Sequence, residues 1–222
     1  MKIYQLLYLS VFLFLSTLLT GVAQQRAQYT QYYINPYILN QAAGGTSNYM
    51  EASIGYRKQW IGFNDSPSTY YASFFIPINQ KSEKQINHSK GAKNHWNTIG
   101  GYLYNDVTGP TQRMGGLLSV AHNLPLSRRL RLSFALTAGL QQYSYNTADL
   151  EIADAGDIKL EQNSNDLVTD MNMAIWLYHD DFYIGVSSQQ LFENQFDFPG
   201  IESNQASELV RHHFIQAAYR FS

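Results

Sequence analysis

Histidines are the first residues of this chain that could do chemistry: His95, His122, His179 and the adjacent pair His212-His213. Imidazole is a common metal ligand. Neighbours on an extended chain point to opposite faces, however, so His212 and His213 cannot easily close on one ion. Asp149, Glu151, Asp154 and Asp157 with Gly156 form an acidic stretch. Its spacing departs from the calcium loop D-x-D-x-D-G, so a solvated loop is expected, with a weak calcium site as the alternative. Ser187, His179 and Asp180 carry the residue types of a hydrolytic rim site but are too loosely related to define one. No glycine-rich phosphate loop follows a strand and opens a helix. Cysteine is absent, which removes thiolate ligands, disulfides and a lipoprotein anchor together. The expectation is a protein with no catalytic constellation, no metal and no cofactor.

The elements around these residues are export and strands. Lys2 precedes an apolar run from Leu6 to Leu19, broken only by Ser10, Ser16 and Thr17, and Gly21-Val22-Ala23 supplies small residues for cleavage. This reads as a signal peptide over residues 1–23, with an uncleaved anchor helix as the alternative. No other stretch approaches ~18 continuous apolar residues, so no helical span is expected in the mature chain. Charged residues make up 14%, against roughly 25% in ordinary soluble domains. Low charge with 17 Tyr and 12 Phe suits a transmembrane β-barrel with aromatics at both interfaces. A tyrosine-rich soluble β-sandwich has a similar composition. The net charge of −2 gives no sign of nucleic-acid binding.

Alternation supplies the fold. Leu130, Leu132, Phe134, Leu136, Ala138 and Leu140 point one way; Arg131, Ser133, Ala135, Thr137, Gly139 and Gln141 point the other. Twelve residues at period 2 are long enough to cross a bilayer at a tilt, and the second face is small and polar, as a lumen requires. Similar patterns occur at 52–57, 70–78, 96–104, 114–124, 171–178, 182–187 and 212–221, giving eight strands. Gly100-Gly101 and Gly115-Gly116 interrupt two of them, as bends or close backbone approaches do. Short connections at 125–129 and 179–181 would be periplasmic turns, and the long polar ones at 146–167 and 191–207 external loops. Residues 80–94 form a long charged connection on the periplasmic side. It reads as a tolerated insertion or as a surface for a periplasmic partner.

The most distinctive motifs lie between Gln28 and Ile78. Tyr29 and Gln31 belong to Gln28-Tyr29-Thr30-Gln31-Tyr32; Asn35-Pro36 and Asn40 follow; then come Tyr56-Arg57-Lys58-Gln59-Trp60-Ile61-Gly62-Phe63 and Pro67 with Thr69. This series resembles the opening of the PorP/SprF family, outer-membrane proteins of the type IX secretion system. Gly101 to Asp106 is similar to its G-x-x-x-N-D segment, and Leu209 to Phe221 to its R-H-x-F strand. The chain departs from the family at Asn40-Gln41-Ala42-Ala43-Gly44, where N-P-A-Y-A-G is usual. In the family the R-H-x-F strand is followed by several others, so the resemblance implies a shortened member or an incomplete larger barrel.

The expectation is therefore an all-β, antiparallel transmembrane β-barrel of outer-membrane type with about eight strands. It divides into a signal peptide (1–23), a periplasmic, plug-like segment (24–49) and a barrel region (50–222). The resemblance implies localisation in the outer membrane of a Gram-negative bacterium. It also implies assistance in secretion or surface attachment of an adhesin-like cargo, by binding the cargo's C-terminal signal domain. Partners would be that cargo, other type IX components and outer-membrane lipid. Gliding motility is the associated process. Tyr56, Trp60 and Phe63 read either as a partner-binding patch at the external rim or as an interfacial girdle. Arg57 faces the polar side, to line a channel or join a structural ion pair. The alternatives are a small passive pore or structural barrel, and a soluble secreted β-sandwich.

Overall fold

A computed structural model describes residues 33–46, 49–63, 65–78, 95–145, 164–196 and 207–221. The leader, Tyr29, Gln31, the charged connection at 80–94 and the acidic stretch at 149–157 lie outside the described residues.

Eight strands form one antiparallel sheet: β1 (Glu51–Lys58), β2 (Ser68–Ile78), β3 (Trp96–Thr108), β4 (Thr111–Pro125), β5 (Arg131–Tyr145), β6 (Ser164–Tyr178), β7 (Phe182–Gln189) and β10 (His212–Tyr219). Two short strands, β8 (Gln195–Phe196) and β9 (Ser207–Glu208), pair with each other in the connection between β7 and β10. The order in the sheet is β1-β2-β3-β4-β5-β6-β7-β10, so each strand lies beside its neighbour in sequence. All eight strands read from alternation are present, and the β-sandwich alternative fails because there is one large sheet, not two facing ones.

Two strands run further than alternation suggested. β3 continues to Thr108 and β4 begins at Thr111, with Thr108 opposite Thr111. The tight turn between them is Gly109-Pro110, where Gly109 takes φ +55, a conformation glycine adopts without cost. The connection between β3 and β4 is thus a two-residue hairpin turn. The glycine pairs at 100–101 and 115–116 stay within the ladders.

The sheet curls into a half-barrel, and a short internal segment shows how strongly. Asn35 donates to Ser73 on β2, and four residues later the Leu39 carbonyl accepts from Ser187 on β7. Asn35 and Leu39 flank a 3-10 turn, which rises ~2 Å per residue. Five strand spacings in a flat sheet would separate β2 from β7 by ~24 Å. Only a curled sheet brings both to one turn of chain.

The two faces are inverted relative to a soluble protein. Leu103, Leu118, Val120, Phe134, Leu136, Leu140, Met173, Ile175, Ile184, Val186 and Ile215 are exposed on the convex side. Ser73, Thr98, Ser119, Asn123, Ser133, Thr137, Asn172, Ser187 and Gln189 are buried on the concave side. Apolar groups face outward over almost every strand, as lipid contact demands. No helix among the described residues is long and apolar enough to cross a membrane. β1 and β10 are the sheet's edges and do not pair with each other among the described residues.

Leu136 sits near the middle of β5 on the exposed face. Leu136→Arg is expected to lower the unfolding free energy by about 2–4 kcal/mol, while Leu126→Arg in the β4–β5 turn costs about 0–1 kcal/mol. Urea unfolding from bilayers, followed by tryptophan fluorescence, measures the difference.

Candidate functional site

The concave face holds a plug built from residues 35–46. Pro36 opens a 3-10 turn, Pro36–Ile38, because a first helical position needs no amide donor. Asn40 then caps a second, Gln41–Ala43, its Oδ1 accepting from the Ala42 amide at 3.1 Å. The same side chain reaches the sheet. Its Nδ2 donates to the carbonyls of Ile175 and Val186 at 3.1 and 3.2 Å, residues paired across β6 and β7. Gly185 makes that approach possible, since a Cβ there would overlap the Trp176 ring and come within 2.8 Å of Asn40 Nδ2.

The rest of the plug is held mostly by polar contacts. Gln189 donates to the carbonyls of Ile38 and Leu39, and Ser187 donates to Leu39 at 2.6 Å. Trp96 Nε1 donates to the Gly45 carbonyl at 2.9 Å. The Tyr37 hydroxyl lies 2.6 Å from Ser119 Oγ on β4, in space that a Cβ on Gly100 would invade, at 2.5 Å. Burial pushes the Tyr37 phenol up to about 12, with the Ser119 hydrogen bond working in the opposite direction. Apolar packing is local. Tyr37 and Ile38 meet Phe75, Tyr102, Tyr104 and Leu117. Ala42 and Ala43 sit on Ala121, Ala135 and Ala174, small residues that let backbone approach backbone.

Beyond the plug, towards the end carrying the β1–β2 hairpin, the concave face carries a polar network. Tyr104 donates to Gln141, and Gln141 donates to Asp170. The Arg113 guanidinium lies over the Tyr143 ring, 4.8 Å from its centroid. Gln190 reaches Tyr143 and accepts nothing in exchange, while its amide N–H donates to Asn172.

The hairpin itself presents an apolar tip. Trp60, Ile61 and Phe63 are 69%, 83% and 75% exposed. Trp60 takes φ +48 and Gly62 φ +104. The first is uncommon for a bulky residue, and backbone strain of this kind marks a side chain whose placement is imposed. The tip is tied down by Gln59 N–H to the Pro67 carbonyl and Gly109 N–H to the Asp65 carbonyl. Tyr56 stacks outward on Tyr70 with ring centroids 4.6 Å apart. Arg57 is half-buried on the inner face, and the Gln59 amide, with its oxygen turned towards it, accepts from the guanidinium.

The motif residues thus fall in two places. Asn35, Pro36 and Asn40 seat the plug; Tyr56, Arg57, Gln59, Trp60, Gly62, Phe63 and Pro67 shape the hairpin. Sequence reading missed the lumen partners Tyr37, Ser119 and Gln189 and met Ser187 only as a polar strand member and a loose rim candidate; Ser119 lies inside the strand read at 114–124, and Gln189 lies past the one read at 182–187. Of the histidines, His95 and His122 come together, with ring centroids 5.6 Å apart, and His122 meets Asn97 at 2.7 Å; His179 faces Asp181 at 3.4 Å, and His212 and His213 occupy opposite faces. Among the described residues no three His, Asp or Glu side chains are grouped to hold an ion.

Comparison with known families gives one finding. The family model described as type IX secretion system membrane protein PorP/SprF matches residues 21–222. No curated protein and no solved structure matches the chain.

Asn40→Ala removes the cap and two carbonyl contacts and is expected to cost about 1–3 kcal/mol, read as faster protease cleavage near residues 40–48 in the folded protein. Tyr37 adds a pH dependence. Its folded pKa lies above the usual value of 10, so the neutral phenol stabilises the fold fully below pH 10. That contribution fades as pH rises from 10 to about 12. A Tyr37→Phe variant should lose this alkaline step in thermal unfolding while keeping the rest of the profile.

Proposed function

Because the chain belongs to the PorP/SprF family of type IX secretion system membrane proteins, we propose that it is an outer-membrane component that recognises a secreted partner at its hairpin end. The partner is a cargo protein of the adhesin kind, recognised through its C-terminal signal domain and handed on to the surface. The hairpin end faces outward, the plug end faces the periplasm, and other secretion components meet it there. The observation that carries this reading is the β1–β2 tip. Three large apolar side chains project from a hairpin whose backbone is held in place by hydrogen bonds at both flanks. Exposed aromatics on a fixed scaffold are the residues that dominate protein–protein affinity.

The passive-pore reading is weakened by the plug, which occupies the concave face from β2 to β7. A structural barrel with an aromatic girdle also accounts for Trp60 and Phe63, and the experiment separates the two. Full-length protein in detergent micelles is used to capture a purified cargo C-terminal domain. Enrichment over an unrelated barrel is expected, with a loss of about tenfold or more for Trp60→Ala with Phe63→Ala, since hot-spot residues contribute 2 kcal/mol or more each. Equal capture by the control barrel removes the cargo role.

A further inference from the structure

The end of the barrel opposite the hairpin carries a cavity of about 470 Å³ whose lining includes Arg128, Arg129, Arg131, Trp96, Tyr49 and Tyr178. We propose that this mouth is a docking site for an acidic peptide segment of a periplasmic partner. The inference rests on the membrane placement above but not on cargo recognition, which uses the other end.

The arginines are placed, not merely clustered. Ser127 Oγ accepts from the amides of Arg129 and Leu130, and the Leu130 carbonyl accepts from the amides of Leu126 and Ser127. This closes the β4–β5 turn and fixes where Arg128 and Arg129 leave it. Arg131 stacks over the Trp96 ring, 4.7 Å from its centroid. A guanidinium stacked by its face keeps its edge of N–H donors for a carboxylate. Among the described residues the one acid in the lining is Asp180, 3.7 Å from Arg129, and both side chains are well exposed. Such a pair is weak. It shows the chemistry that the mouth accepts while leaving Arg128 and Arg131 without a carboxylate among the described residues.

Three features point to a peptide and not to a lipid headgroup. Trp96, Arg131 and Tyr178 are in register with the buried members Thr98, Ser133 and Trp176 of their strands, so they face the lumen and not the lipid. The walls combine aromatic rings with guanidinium groups, the mixture that binds acidic segments with apolar neighbours. Charge is also unbalanced at the mouth. Among the described residues its lining carries Arg128, Arg129 and Arg131 against Asp180, a balance that attracts an acidic ligand.

The test uses the full chain in phosphatidylcholine nanodiscs and a fluorescein-labelled peptide of about ten residues alternating Asp and Leu. Fluorescence anisotropy is expected to show binding that weakens about tenfold or more in Arg128→Glu with Arg129→Glu, and again on raising NaCl from roughly 0.05 to 0.5 M. Arg131→Lys keeps the charge but loses the stacked fork, and is expected to weaken binding several-fold with unchanged salt dependence. Far-UV circular dichroism reports that each variant is folded; Arg128 and Arg129 are turn residues with exposed side chains, so folding is retained. Binding of an Asn-Leu peptide equal to that of the Asp-Leu peptide overturns the proposal. So does unchanged affinity in the double variant. Displacement of the peptide by soluble glycerol phosphate at constant ionic strength would assign the mouth to lipid phosphate instead, and equally overturns it. Cargo capture by Arg128→Glu with Arg129→Glu stays at the wild-type level, so failure of either reading leaves the other testable.

Discussion

A backbone amide in hydrocarbon has no water to bond, and each unsatisfied group costs several kcal/mol. That constraint decides the shape of this molecule. Seven antiparallel ladders, from β1·β2 through β7·β10, satisfy the strands against one another. With the backbone satisfied within the sheet, side chains on the convex face need only be apolar, and they are. The same constraint bears on β1 and β10. Their outer backbone groups have no ladder partner among the described residues, and a bilayer forces an edge of that kind to be paired.

The concave face obeys the opposite rule. It is polar because something polar sits on it. The plug turns backbone carbonyls of residues 37–39 and 45 towards the sheet or towards Gln41, and side chains of Gln41, Ser187, Gln189 and Trp96 satisfy them. Each such bond adds only ~1 kcal/mol net, yet leaving its partner buried and unmade costs more. The plug is therefore specified by complementarity more than by apolar area. Glycine at 100 and 185 and alanine at 121, 135 and 174 are the corresponding steric concession. Larger side chains at those positions would lift the plug and strand its partners.

Alternation made most of the sheet legible. In β5 the order Leu132, Phe134, Leu136 against Ser133, Ala135, Thr137 assigned both strand and faces correctly, because period 2 is a direct consequence of the pleat. The β3–β4 turn was not legible. Its flanks, Asn105 to Thr108 and Thr111 to Arg113, are polar on both faces apart from Val107, so the apolar alternation ends before the strands do. The curl was hidden as well, since no local pattern states that β2 and β7 share one plug. Asn35, Pro36 and Asn40 stood out as a motif, but their roles depend on residues up to 146 positions away, such as Val186, whose carbonyl accepts from Asn40. Trp60, Gly62 and Phe63 were recognised by type, while the left-handed backbone that aims them is visible only in three dimensions.

The plug also places the two ends of the barrel in physical contact with one element. Its last described turn gives the Gly45 carbonyl to Trp96, and Trp96 carries Arg131 on its face. Its first residue, Asn35, holds Ser73 on β2, and Ser73 pairs with Ser53 on β1, the strand that rises to Trp60. An anion that draws Arg131 away from Trp96 changes the packing around the indole whose N–H anchors Gly45. Asn40, bonded to carbonyls of both β6 and β7, fixes the middle of the plug, while Trp96 fixes it at Gly45. The plug is thus fixed at two points, and a change in the Arg131–Trp96 contact bears directly on the one at Gly45.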